Sequence, residues 1–194
     1  TRIPFEDWKL PFEEWEARFF MRGLKRSLFE VLIVEKANRY RSQLHYGPLG
    51  DKLTTFFSRP SAKRCREVVT QFAALVELNE EYGWPVENVM AEPDEPGRGK
   101  WPFDGLIFDG PWLEGRRTGQ WPPVRIAIEA KIRPREVKKL IRMINECTER
   151  GSHEVNAHPR GEKSDHAKYQ GILEWWRPEY FLVVAPKERR VYKV

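Results

Sequence analysis

Arg125-Ile126-Ala127-Ile128 runs without a break into Glu129-Ala130-Lys131. An apolar run of this length, rich in β-branched residues, reads as a buried strand. Strand side chains alternate between faces, so Ile126, Ile128 and Ile132 share one face and look into a core. Glu129 and Lys131 then stand together on the other. An anion and a cation set into an apolar strand cost desolvation free energy unless a partner or a use offsets it. A second apolar run, Phe103 to Phe108, carries Asp104. If the two runs pair, Asp104, Glu129 and Lys131 define a cation site with an ammonium beside it.

The two runs are expected to form an antiparallel hairpin. The Gly- and Pro-rich segment between them, 109–123, reads as a long exposed loop carrying Arg116, Arg117, Trp112 and Trp121. Upstream, Val68, Val69, Phe72, Leu75 and Val76 form one apolar stripe. They predict a helix from about Ser61, a suitable N-cap, to about Tyr82, ended by Gly83 and Pro85. A short strand is expected over 87–91. Downstream, Pro134 suits a first helical turn, and Val137, Leu140, Ile141 and Ile144 recur at helical spacing to about Arg150. A further helix is expected over 164–176, then a core strand from Tyr180 to Ala185 and an edge strand from Arg190 to Val194. This order specifies an α/β domain with a small mixed sheet flanked by helices. Residues 1–60 read as a separate helical extension, with a helix from Leu28 to Leu44, and residues 61–194 as the core domain.

With 194 residues and 40% hydrophobic content, the chain can bury a real core, and no long uncharged run suggests a membrane span. Two cysteines, Cys65 and Cys147, make no disulfide framework, and the chain opens on Thr1 without a signal-peptide pattern. A cytoplasmic setting is expected. The net charge of +5 is uneven. Residues 98–194 hold 20 Lys and Arg against 13 Asp and Glu, whereas residues 1–97 hold 14 against 16. A basic half around the candidate site suits a polyanion, and DNA is the expected partner. The His and Cys spacing fits no zinc site.

Pro102-Phe103-Asp104-Gly105-Leu106-Ile107-Phe108, followed by Ile126-Ala127-Ile128-Glu129-Ala130-Lys131, resembles the PD-(D/E)xK nuclease superfamily, over about residues 62–185. Acid-x-Lys also occurs at Asp7-Trp8-Lys9 and Glu136-Val137-Lys138, but in helical context, where positions i and i+2 diverge. Only the Glu129 copy lies in a strand. Phe103 interrupts the usual Pro-Asp pair, and the chemistry needs the carboxylate rather than the proline. Asp109 is the rival acid, and strand alternation favours Asp104.

The resemblance implies a restriction-endonuclease-like fold and metal-dependent hydrolysis of DNA phosphodiester bonds. It implies Asp104 and Glu129 as ligands of Mg²⁺, with Mn²⁺ able to substitute, and the Ala130 carbonyl as a further ligand. Lys131 would orient or help deprotonate the attacking water. Relatives of this kind recruit a Glu from the preceding helix, where Glu67 and Glu77 are available and Glu77 is the candidate ligand. They also place a polar residue on the late helix, here Gln170. A homodimer, or a larger assembly through the N-terminal segment, is a further expectation. The alternative is a nucleic-acid-binding or assembly module that keeps the fold without catalysis.

Overall fold

The computed structural model describes residues 12–36, 39–50, 52–57, 62–93, 103–150 and 176–194. The chain begins there with helix α1 (Glu14–Lys25), whose Glu16 reaches back to accept the Glu13 amide at 2.8 Å. Three antiparallel strands follow in the order β1-β2-β3: β1 (Glu30–Lys36), β2 (Arg39–His45) and β3 (Leu53–Phe57). The helix expected over 28–44 is therefore replaced by a strand pair. Leu28, Val31 and Leu32 lie near helical spacing, but Val31, Ile33 and Val34 are β-branched and prefer the extended backbone. The helical reading of 1–60 holds only for α1 among the described residues.

Helix α2 (Ala62–Glu80) follows its apolar stripe closely, and Gly83 takes the left-handed backbone (φ 74°) just after it. The N-cap expected at Ser61 lies outside the described residues. Strands β4 (Val89–Ala91), β5 (Gly105–Phe108), β6 (Val124–Ala130), β7 (Tyr180–Ala185) and β8 (Glu188–Lys193) form a second sheet in sequence order. Only β6 and β7 are parallel; the other neighbours are antiparallel. The small mixed sheet and the β5–β6 hairpin thus stand as expected.

The segment between β5 and β6 is not all loop. Helix α3 (Trp112–Thr118) fills its middle and ends at left-handed Gly119 (φ 74°). Its Gly and Pro content hid a short run of good helix formers, Leu113, Glu114, Arg116 and Arg117. Trp112 anchors that helix and is only 1% exposed. Gly115 permits the close return of the chain, because a Cβ there would meet Pro122 Cδ at 2.8 Å.

Helix α4 (Pro134–Arg150) runs between β6 and β7 in sequence. Both faces of the five-stranded sheet are covered. On one, Ile107, Ile128, Leu182 and Val184 join Phe72, Leu75 and Val76 of α2. On the other, Leu106, Phe108, Ala127, Phe181 and Val183 join Val137, Leu140 and Met143 of α4. Such double coverage explains why Ile126, Ala127 and Ile128 of β6 are apolar in succession rather than alternating.

Phe19 and Phe20 of α1, Phe29, Leu44 of β2 and Phe56 of β3 belong to the same apolar cluster as α2. Phe29 packs edge-on against Phe72 with ring centroids 4.9 Å apart. The described residues before α2 therefore share a core with the sheet that carries the candidate site.

Candidate functional site

The register that pairs Gly105 with Ile128 puts Asp104 opposite Glu129, at the point where β5 begins and β6 ends. Asp104 Oδ2 accepts the Ala130 backbone amide at 2.6 Å. The side chain thereby takes the place of a strand carbonyl at the end of the ladder. The Asp104 carbonyl accepts from Gln71 Nε2 of α2 at 2.6 Å and from the Glu92 amide at 3.2 Å. Backbone and carboxylate of this residue are fixed from three directions. Ala130 carries its N–H and C=O on one edge of the extended strand, so its carbonyl opens toward Asp104.

Glu129 is 4% exposed. Its Oε1 accepts from Lys131 Nζ at 2.5 Å, and the same ammonium lies 4.0 Å from Glu67 Oε1 on α2. Burial pushes the Lys131 pKa down, but the charges of Glu129, Asp104 and Glu67 and the bond to Glu129 push it up further. The net effect holds it above the ordinary lysine value, so the side chain is a cation and a hydrogen-bond donor at neutral pH. Asp104, Glu129 and Lys131 are thus brought to one sheet end, as their spacing predicts.

The helix glutamate is a different residue from the one expected. Glu77 stands ten residues after Glu67, about 15 Å along the helix axis. It pairs with Arg189 of β8 at 3.0 Å. Burial raises its pKa, and Arg189 and Arg18 partly oppose that rise. The structure does not bring Glu77 to Asp104 and Glu129; Glu67 is the helix acid beside Lys131. Gln170 lies outside the described residues, as does the helix expected from Ser164. The rival acid Asp109 is occupied elsewhere, its Oδ1 accepting from Arg125 Nε at 2.5 Å.

Two further groups escaped the sequence pattern. Tyr46 follows β2 and is fully buried, its ring edge-on to Phe72 at 4.9 Å. Its hydroxyl lacks a partner at hydrogen-bonding geometry. Burial first, then the charge of Glu92 and the approach of the hydroxyl to it, drive its pKa far above the usual phenol range; the Thr54 hydroxyl acts the other way, and the charge of Asp104 adds the smallest contribution. Glu92 follows β4 with a left-handed backbone (φ 40°), a conformation that costs a non-glycine residue about 1 kcal/mol or more. No motif marks either residue.

Arg133, Arg135 and Lys138 are exposed at the start of α4, just after the site end of β6, whereas Arg116 and Arg117 are exposed on α3, at the other end of the β5–β6 hairpin. Trp112 is buried, and Trp121 packs against Phe108 and Trp176 with centroids 5.7 and 5.5 Å away. These two rings cap the sheet, and the expectation of exposed tryptophans in an open loop is not met. No described helix is long and apolar enough to cross a membrane.

No protein-family model, curated protein or solved structure matches this chain. What the site can do must be read from its own donor set. Among the described residues, no three Asp, Glu, His or Cys side chains gather closely enough to make a cation cage by themselves. Two carboxylates and a strand carbonyl, without thiolate or imidazole, fit a hard cation that takes oxygen ligands. Mg²⁺ suits so small a set, because it typically binds one or two carboxylates and keeps several waters.

Proposed function

We propose that the chain is a metal-dependent endonuclease that hydrolyses DNA phosphodiester bonds, built on a restriction-endonuclease-like α/β core. The observation that carries this reading is the convergence of Asp104, Glu129 and Lys131 where β5 begins and β6 ends. Asp104, Glu129 and the Ala130 carbonyl hold Mg²⁺, which when bound neutralises phosphate charge and polarises its oxygens. The hydrogen bond from Ala130 N–H and the grip on the Asp104 backbone fix the carboxylate before any ligand arrives, which lowers the cost of organising it. Lys131 carries its proton and so acts first as a donor: it orients the attacking water and stabilises charge on the phosphoryl oxygens. Water oxygen would bond to phosphorus as the P–O bond to the leaving sugar oxygen breaks, the water giving up a proton to solvent and the leaving oxygen taking one from it, so that a phosphate monoester and a sugar hydroxyl result. Exposed Arg133, Arg135, Lys138, Arg116 and Arg117 supply the electrostatic attraction to the DNA backbone. A cytoplasmic setting and a DNA partner belong to the same proposal.

The test is nicking of a supercoiled plasmid with Mg²⁺, with EDTA, and by Lys131→Ala. Cleavage that needs the cation and falls by two or more orders of magnitude in the variant supports the assignment. Equal cleavage by both proteins removes it. Salt-sensitive DNA binding with no metal-dependent cleavage identifies a binding module instead.

A further inference from the structure

We propose that Glu92 is an additional acid of the cation site, that it acts on the hydration shell of the ion, and that Tyr46 positions it. This rests on the nuclease reading above and extends it to two residues that the Asp…Glu-x-Lys pattern does not contain. Glu92 is half-buried and joined to Asp104 through its backbone amide, which donates to the Asp104 carbonyl at 3.2 Å. The backbone pairing thus places Glu92 beside Asp104 at the same sheet end. The independent pointer is Tyr46. Its hydroxyl is buried and lies close enough to Glu92 and Thr54 to interact with both, without full hydrogen-bond geometry to either. A phenylalanine would fill the same space against Phe72 without leaving a polar group unpaired. A phenol kept there suits a donor that engages a carboxylate once that carboxylate turns to its working position.

The ligand class follows from the geometry. The described carboxylates do not close into a cage, so direct coordination by a third acid is not what the arrangement offers. A small hard cation held by two carboxylates retains waters that need acceptors. Glu92 provides one at the edge of the site, and Tyr46 fixes it from the protein side, as outer partners orient metal sites elsewhere. The donor comes from the N-terminal segment, so that segment belongs to the site.

The experiment is a titration of the full chain with Mn²⁺, reading free ion by its electron paramagnetic resonance signal, with no DNA present. The expected result is one site in the wild type, lost in Asp104→Ala. Glu92→Gln should weaken binding by about tenfold, the lower end of the range for outer partners of metal sites. Tyr46→Phe should weaken it by a few-fold, and the double variant should match Glu92→Gln alone, because Tyr46 acts through Glu92. Urea midpoints verify that each variant is folded, and Tyr46→Phe keeps the ring against Phe72. Loss of binding in Asp104→Ala with wild-type affinity in both Glu92→Gln and Tyr46→Phe overturns this inference and leaves the nuclease reading standing. Multiplying effects in the double variant overturn the positioning role of Tyr46. A wild-type chain that binds no Mn²⁺ overturns the nuclease reading and this inference with it.

Discussion

The carboxylate of Asp104 accepts the backbone amide of Ala130 at 2.6 Å, one residue beyond Glu129, which it faces across the hairpin. One side chain thereby closes the β5–β6 ladder and offers an oxygen to the site. The two roles separate by mutation. Asp104→Ala removes a charge-assisted bond to a part-buried amide and should cost about 1.5–3 kcal/mol. Asp104→Asn keeps an acceptor for that amide and should cost less than about 1 kcal/mol. Both remove the anion, so both should abolish Mg²⁺-dependent nicking. Urea denaturation beside plasmid cleavage checks the pair; equal destabilisation by Asn and Ala would contradict the ladder role.

Lys131 is the main counter-charge of buried Glu129, at 2.5 Å. Lys131→Met removes that cation from beside a buried carboxylate and should destabilise the fold by about 3–5 kcal/mol, most of which a second change, Glu129→Leu, should restore. The pH dependence has a definite sign. The folded pKa of Lys131 lies above its ordinary value of 10.5, so in that region the folded state holds more protons than the unfolded state. Stability from this group is complete below the ordinary value and falls as pH rises beyond it. The gap in urea midpoint between wild type and Lys131→Met should therefore stay constant through neutral pH and narrow only in alkali. A gap that already closes between pH 6 and 8 would contradict the charge state assigned here.

Glu16 ties the N-terminal helix to α2 from a fully buried position. Its Oε1 accepts from Thr70 Oγ1 at 2.5 Å, and its Oε2 lies 3.3 Å from Arg66. Glu16→Ala takes the acceptor from two α2 side chains at once and should cost about 3–5 kcal/mol. Gly23 packs so tightly beneath Phe29 that a Cβ would meet its ring at 2.3 Å, and Gly23→Ala should cost about 1–3 kcal/mol. Deletion of residues 1–60 should leave no cooperative unfolding transition, because Phe72, Leu75 and Val76 lose the covering rings of Phe19, Phe20 and Phe29. Calorimetry of the truncated chain decides the matter; a sharp transition near that of the full chain would make the segment a detachable accessory.

The site was legible where its chemistry and its local structure coincide. Glu129 lies in a strand with a strong apolar run, Asp104 and Lys131 flank such strands by one residue, and period-two alternation places Glu129 and Lys131 side by side. Helices α2 and α4 were legible because their stripes recur at helical spacing over many residues. The choice between Glu67 and Glu77 was not, because both belong to one helix and only the tertiary fit says which turn meets the sheet end. Leu28 to Leu44 failed for a local reason: its apolar spacing suits a helix and its β-branched content suits strands, and pairing with β3 decides the outcome. Tyr46 and Glu92 were invisible because nothing in their neighbourhoods is unusual. They meet only when the turn after β2 packs beside β4, with Leu49 buried there and Gly50 close to the Ala91 carbonyl.

The basic residues on α3 and α4 allow a prediction that separates binding from chemistry. Arg133, Arg135 and Lys138 are exposed just after the β6 end that carries Lys131. Under the nuclease proposal they contact phosphates and release counterions. Each substitution to Ala should lower the slope of log affinity against log salt by about 1 and weaken binding to all sequences alike. Cleavage at saturating DNA should be little changed, because the proposal gives these side chains a part in binding only. Fluorescence anisotropy with a labelled duplex across a salt series, in EDTA, gives the slope without cleavage. An Arg133→Ala, Arg135→Ala, Lys138→Ala triple variant with an unchanged slope would place the DNA on another face of the molecule, and the charged ends of α3, with Arg116 and Arg117, would be the next surface to test.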